Sequence, residues 1–466
     1  MTKTMDIGTF FDLKLSENTL KGLLRNKFIT MTSIQKISIP PAIKNRDILG
    51  TSKTGSGKTL CFLVPILEKL WIKNWNFHDG TGGLVICPIR ELGIQIFDLV
   101  QKLLLFHDFN AKILIGGYLD KKIEPKNHAS ILIATPGNLI KKILISPNLS
   151  LNNLKTIAFD EIDHILNKGF QQGIYFIKNI LPRKKQTFVF SATLNYNIKY
   201  LAILNLKYPI YCFIGNRKES DLIALKKNFD SPRKIYQFFC FSKINEKFEL
   251  LISFLNANIN KKTIVFFSTR KQVKLYYETT KKLLTSLKLF YCFGKMKQYK
   301  RIKNYLSFNE CYKGVLLSTD LISRGLDFKL VDWVIHFDCP SNLNIYIHRN
   351  GRTGRFGQIG KTLIFLLKSE TNFLKIIKHN QDNISRIYFS KNQIISIEKK
   401  LNYMINSNRN LMFLAFETFF NYLKFIFFQK DKKTFKFRKM DWERFAGSLG
   451  LGNVFDNQKI NIEGSL

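Results

Sequence analysis

The sequence predicts an α/β protein: two parallel-sheet domains in tandem, then a mostly helical C-terminal extension. Three observations carry this. Near-continuous apolar runs ending in small or polar residues recur at DILGTSKTG, GLVICP, ILIATP, TIAFDE and FVFSAT. Beyond a polar stretch, Gly215–Lys234, the pattern restarts with TIVFFST, KLFYCFG, GVLLSTD, WVIHFDCP and KTLIFLL. From about residue 371 the strands stop and a helical period rich in Phe and Lys takes over. Strands that are apolar on both faces suit parallel sheets covered by helices on each side. The expected divisions are residues 1–215, a linker at 216–232, a second domain at 233–370 and the extension at 371–466.

The bulk numbers agree. A chain of 466 residues, 45% hydrophobic, is too long for one core. Its seven cysteines form no CxxC pair, which fits a reducing compartment and argues against a disulfide scaffold or zinc site. The N-terminal MTKTMDIGTFFDL has no apolar signal core. The most apolar stretch, Phe413–Phe428, is short and carries Glu417, Asn421 and Lys424, so it reads as a soluble helix and not a membrane span. A net charge of +39 fits a polyanionic partner. Lys far outnumbers Arg, however, and Asn, Ile and Phe are abundant, a mix that AT-rich coding also produces. Charge alone does not place the contact.

Thr51–Thr59, TSKTGSGKT, follows a strand-like run and precedes a helix-like one, the context a phosphate-binding loop requires. Ser52, Lys53, Thr54, Gly55, Ser56 and Gly57 form the loop, and Gly55 and Gly57 let its N–H groups face a phosphate. Lys58 is placed to reach the β- and γ-phosphates and Thr59 to ligate Mg²⁺. The strict pattern has Gly where this chain has Ser52. About a hundred residues on, TIAFDEIDHIL sets Asp160, Glu161 and Asp163 among apolar residues. Buried charge needs a partner. Asp160, ending a strand, can hold Mg²⁺ beside the phosphate loop, and Glu161 can orient and help deprotonate an attacking water. Taken alone, the same acids could simply open a helix, whose N-terminus favours carboxylates.

These motifs, in this order, resemble those of DEAD-box ATP-dependent RNA helicases of superfamily 2, over nearly the whole chain. The resemblance implies two RecA-like domains. It implies that Phe28 stacks on adenine and Gln35 hydrogen-bonds its edge, within FITMTSIQ. Lys58 and Thr59 match motif I, with Ser52 for the usual Ala. DEID matches the DEAD box, with Ile162 for Ala. Ser191, Ala192 and Thr193 match the SAT motif that links the nucleotide side to the RNA side, and the resemblance counts Asp163, Ser191 and Thr193 as coupling residues. STDLISRGLD, containing Thr319 and Asp327, resembles motif V, and YIHRNGRTGR resembles motif VI.

In motif VI, Arg349, Arg352 and Arg355 recur every third residue, so they are expected on one side of a helix or helical turn. Guanidinium forks match phosphate oxygens. The resemblance gives Arg352 and Arg355 to the γ-phosphate, His348 to a bridge with DEID, and Asp327 to completing the ATP site from the second domain. It gives Arg90 in PIREL, Gly117, Thr135 and Gly137 in TPGN, Gln298 and Arg301 in GKMKQYKR, and Thr319 to a single RNA strand, held by phosphates and 2′-hydroxyls. On the RNA side two residues depart from the family. Ile89 stands where it has Thr, and Asn138 where it has Arg.

The segment Ala415–Leu451 resembles a helical extension of nucleolar ribosome-assembly members, closest to the subfamily of early small-subunit pre-ribosomal RNA processing. The implied function is an RNA clamp, monomeric within a larger particle, that closes on ATP, Mg²⁺ and RNA and opens after hydrolysis. RNA, with pre-ribosomal proteins beside it, is the implied partner, and no membrane is. Two other readings stay open at this point: a structural assembly factor that keeps the helicase shape with weak or incidental hydrolysis, and a DNA helicase. Phe28, Gln35 and the DEID form point to the RNA branch.

Overall fold

The computed structural model describes residues 8–52, 55–116, 129–145, 149, 151–167, 169–191, 206, 209–213, 235–323, 326–354, 359–380 and 384–452. The chain divides into two compact units, one reaching to Lys226 and one starting at Lys227, with residues 325–327 grouped with the first.

The first unit is built on seven strands: β1 (Ile48–Thr51), β2 (Gly83–Ile86), β3 (Ala111–Leu114), β4 (Ile131–Ala134), β5 (Thr156–Phe159), β6 (Gln186–Ser191) and β7 (Ile210–Phe213). Their order across the sheet is β3-β4-β2-β5-β6-β1-β7, and every pairing is parallel. The central strands are buried along their whole length, which is why they read as unbroken apolar runs. Loops at the carboxyl ends of the strands in such a sheet are where sites form.

The second unit repeats the plan with β8 (Ile235–Phe241), β9 (Lys262–Phe266), β10 (Leu289–Cys292), β11 (Gly314–Ser318), β12 (Trp333–His336), β13 (Gly360–Leu366) and β14 (Ile384–Arg386). Their order is β10-β11-β9-β12-β13-β8-β14, again all parallel. The C-terminal helices join the core of this unit. In the helix Arg409–Phe427, Leu411, Ala415, Phe419, Tyr422 and Ile426 are buried at helical spacing. They belong to one apolar cluster with Leu251, Val273 and Tyr276 of the sheet-covering helices. An ion pair from Lys271 to Glu417 adds to the same seam.

The fold class holds as expected. The strand count does not. β3, β7 and β8 lie outside the runs read from the sequence, and β14 lies where strands were expected to have stopped. β3, β7 and β14 sit at or beside sheet edges and are only partly buried, so they lack the continuous apolar signature. All seven cysteines are free thiols, six of them buried. Burial pushes the Cys61 thiol up to about 12, so it is inert. Among the described residues no helix is long and apolar enough to cross a membrane.

Candidate functional site

β1 delivers the phosphate loop. Gly57 begins the helix Lys58–Ile72 in left-handed backbone, φ 89°, and a Cβ there would lie 2.5 Å from Gln35 Nε2. Only glycine fits both constraints. The Lys58 ammonium donates to the Ser52 carbonyl at 3.0 Å and lies 3.4 Å from Glu161 Oε1. Lys58 and Glu161 are both buried, so each neutralises a charge that would otherwise be costly. Ser52, where the motif has Ala, places its hydroxyl 2.6 Å from that of Ser56. Lys53 and Thr54 lie outside the described residues.

β5 ends at Phe159, and the chain turns sharply through Asp160 and Glu161 into the helix Ile162–Asn167. Glu161 takes a positive φ of 51°, uncommon for a residue with a side chain and typical of strained functional turns. Two of the three acids have a partner. Glu161 faces Lys58. Asp163 accepts a hydrogen bond from Ser191 Oγ, 2.8 Å away at the end of β6. Asp160 is different. Its Oδ1 is buried with no hydrogen-bond partner among the described residues, as is Glu161 Oε2. Burial, reinforced by the Glu161 charge, pushes the Asp160 carboxyl up to about 7.

That orphaned oxygen is the test of the expected metal. A buried carboxylate oxygen without a donor fits a divalent cation, and Asp160 with Thr59, in the first turn of the phosphate-loop helix, are the residues that would hold it. No group of three or more His, Cys, Asp or Glu among the described residues could hold a metal ion. Mg²⁺ here would therefore take its remaining ligands from nucleotide oxygens and water, its usual habit.

Gln35 is buried against the phosphate loop. Its Oε1 accepts from the Thr32 N–H at 2.8 Å and its Nε2 donates to the Gly57 carbonyl at 3.0 Å. One N–H and one lone pair remain to read a base edge. Phe28, half-buried, is anchored by its backbone N–H to the Leu23 carbonyl.

The other end of the same sheet edge carries the predicted RNA residues. Arg90 opens the helix after β2, Gly116 follows β3, and Thr135, Gly137 and Asn138 follow β4. The structure brings them together: a Cβ on Gly116 would lie 2.7 Å from Arg90 Nη2 and 3.0 Å from Asn138 Oδ1. Asn138 Nδ2 donates to Thr135 Oγ1 at 2.8 Å. Ile89, in the hydroxyl position, is buried as the helix N-cap residue without a side-chain cap. Gly117 and Thr193 lie outside the described residues.

In the second unit Gln298 and Arg301 sit in the first turn of the helix Gln298–Glu310, and Thr319 caps the turn after β11. The helix ends at Asn350, with Gly351 as its C-cap, so Arg349 lies inside it and Arg352 in the turn beyond. The guanidinium of Arg349 is turned to Asp320, at 2.5 and 3.0 Å, and to the Asp338 carbonyl at 3.1 Å. The guanidinium is fully buried and the Asp320 carboxylate partly exposed, a structural pair. Arg352 is also fully buried, and its Nε donates to the His348 carbonyl at 3.2 Å. Arg355 lies outside the described residues. Asp327 groups with the first unit, where its backbone N–H and carbonyl bond the Gln95 side chain.

The sequence reading missed a network that holds the Leu343–Asn350 helix. Gln237 Oε1 on β8 accepts from Tyr346 at 2.8 Å and from Asn350 at 3.1 Å, and Asn350 Oδ1 meets His336 Nε2 at 2.7 Å. No local motif announces Gln237, because its partners lie more than a hundred residues away.

Residues 32–201 match the DEAD/DEAH box helicase domain, and residues 246–357 the helicase conserved C-terminal domain. The chain belongs to the DEAD-box helicase family. It is 39% identical over 445 residues to a protein of Aspergillus clavatus named ATP-dependent RNA helicase dbp4, covering 95% of this chain and 53% of that one. It is 38% identical over 454 residues to the protein of that name from Chaetomium globosum, covering 97% and 54%. The chain thus spans about half the length of these curated relatives. Among solved structures, the DEAD-box helicase Mss116 bound to single-stranded RNA and UDP-BeF aligns with a TM-score of 0.79 at 22% identity, over 98% of this chain and 96% of that one. The S. cerevisiae Dbp5 structure with RNA and ADP BeF3 aligns at 0.71 and 25% identity, over 82% and 95%. The expected pair of RecA-like domains is the fold of this protein.

Proposed function

We propose that this chain is an RNA-dependent ATPase that couples hydrolysis of ATP to ADP and phosphate to local separation of RNA duplexes or remodelling of RNA–protein particles. The observation that carries the reading is the buried constellation of the first unit. Lys58, Asp160 and Glu161 converge there, with one carboxylate paired and one left for a cation. Bound Mg²⁺–ATP supplies the reactive phosphate. Lys58, fixed by the Ser52 carbonyl, meets its charge. Glu161 orients a water and takes its proton. Ser191 and Asp163 tie the acid-bearing turn to the end of β6, so a change at one strand end reaches the other. Arg90, Thr135, Gly137, Gln298, Arg301 and Thr319 hold the strand, and RNA contact is what stimulates turnover.

The finer reading is a nucleolar role in early small-subunit pre-ribosomal RNA processing, as a monomer within a larger particle. The relatives named dbp4 and the C-terminal helices support it. The test is ATP-dependent displacement of a short strand from an RNA duplex and from a DNA duplex of the same sequence. Displacement of the RNA strand alone is expected. Equal displacement of both would favour a DNA helicase, and displacement of neither a structural assembly factor.

A further inference from the structure

A cavity of about 340 Å³ opens in the second unit where β10, the helix Arg270–Leu283 and the C-terminal helix Arg409–Phe427 meet. That volume is at the low end of ligand pockets. Its buried and half-buried lining is aromatic: Tyr277, Tyr291 and Phe293, with Met296 and Leu414 filling between. The Tyr277 and Tyr291 ring centres are 4.5 Å apart, and Tyr291 stacks on Phe293 at 5.8 Å. Its exposed lining is basic. Lys274, Lys295, Lys297 and Lys300 face a single acid, Glu278.

The two linings are joined. Lys274 Nζ stands 5.6 Å from the Phe293 ring centre. Lys295 takes left-handed backbone, φ 64°, within a turn where the Phe293 N–H donates to Met296 Sδ at 3.3 Å. Lys297 and Lys300 interleave with Gln298 and Arg301, residues already given to RNA phosphates.

We propose that this cavity is an additional subsite for single-stranded RNA, taking one unstacked base on its aromatic wall while the lysines hold the flanking phosphates. The inference rests on the RNA reading above and deepens it. Aromatic faces with cations around them take a base whatever its sequence, because every base has a π-face. An acidic peptide would meet the lysines but leave the rings without a stacking partner. Leu414 makes the C-terminal helix part of the RNA-binding surface as well as part of the core.

The test uses the full chain and fluorescence anisotropy with oligouridylates of about 6 and about 15 nucleotides, and with the longer strand made abasic. The wild type should bind the longer strand tighter and lose about tenfold when its bases are removed. Tyr277→Leu/Tyr291→Leu, which keeps the apolar volume, should lose that same tenfold on the longer strand and bind the short one unchanged. Lys274→Gln/Lys300→Gln should flatten the salt dependence by about 0.7 per lysine. A leucine pair that binds both strands like the wild type, with RNA-stimulated ATPase intact, overturns the subsite and leaves the proposed function standing. A wild type that binds neither strand overturns both. If the leucine pair weakens binding of polyglutamate and not of the longer strand, the cavity is an acidic-peptide site and the proposal fails.

Discussion

The two ends of the first sheet's carboxyl edge solve opposite problems. At β1, β5 and β6 the polar groups are fixed on one another, Lys58, Ser52, Glu161 and Ser191 buried and Asp163 half-buried: Lys58 to Ser52 and Glu161, Asp163 to Ser191. At β2, β3 and β4 Arg90 and Asn138 are half-exposed, and the side-chain bond from Asn138 to the buried Thr135 joins two small neutral groups. A buried end tolerates little change, because each group removed strands a charge. The half-exposed end tolerates Asn138, because water replaces the missing charge there, whereas Ile89 is buried and puts apolar packing where the hydroxyl would be.

Substitution at the buried end should therefore have the largest effect. Lys58→Ala removes both the phosphate contact and the partner of Glu161. ATPase should fall by about 10² to 10³ or more, and stability by about 3 kcal/mol, as for a broken buried pair. Steady-state phosphate release and a melting curve read the two. If turnover is lost with stability unchanged, Lys58 does not neutralise Glu161.

Ser191→Ala cuts the 2.8 Å bond to Asp163 while leaving the phosphate loop alone. RNA stimulation of the ATPase should drop about tenfold, with RNA-free turnover within about twofold, a net loss near the worth of one hydrogen bond to a charged group. Equal loss with and without RNA would remove Ser191 from the coupling.

At the solvated end, Asn138→Arg restores a cation. RNA affinity should rise about fivefold at low salt, with the salt dependence steeper by about 0.7. An unchanged affinity would mean that this surface does not meet the strand.

A smaller effect belongs to neither end. His107 is buried against Phe109, with Nε2 3.1 Å from Thr19 Oγ1, and burial pushes its pKa down to about 4. An unfolded imidazole titrates near about 6.5. Between these values the unfolded chain holds a proton that the native state does not. Stability is therefore full above about 6.5 and lost as the pH falls toward about 4, by about 1–2 kcal/mol. Melting temperatures of the wild type and His107→Asn across that window should converge in acid.

Much of this was legible in the sequence, for reasons that differ by residue. The central strands announce themselves because both faces are buried, and the phosphate loop because its chemistry requires consecutive residues. Edge strands carry no such signal: β7 buries only one of its four residues, and β14 none. The part Arg349 plays could not be read from its spacing, because its partner Asp320 lies 29 residues upstream. Asp320 and Gln237 were invisible because their meaning comes from partners distant in sequence. The lone oxygen of Asp160 required coordinates, since only burial shows that nothing in the described chain meets it.

The measurement nearest the centre is steady-state ATPase with and without single-stranded RNA, for the wild type and for Glu161→Gln. RNA should stimulate the wild type strongly, and the stimulation should vanish in the variant, because the water loses its base while Lys58 keeps a neutral partner. A wild type that binds RNA but turns over no faster with it, matched by the variant, would contradict the account and leave a scaffold with a helicase fold.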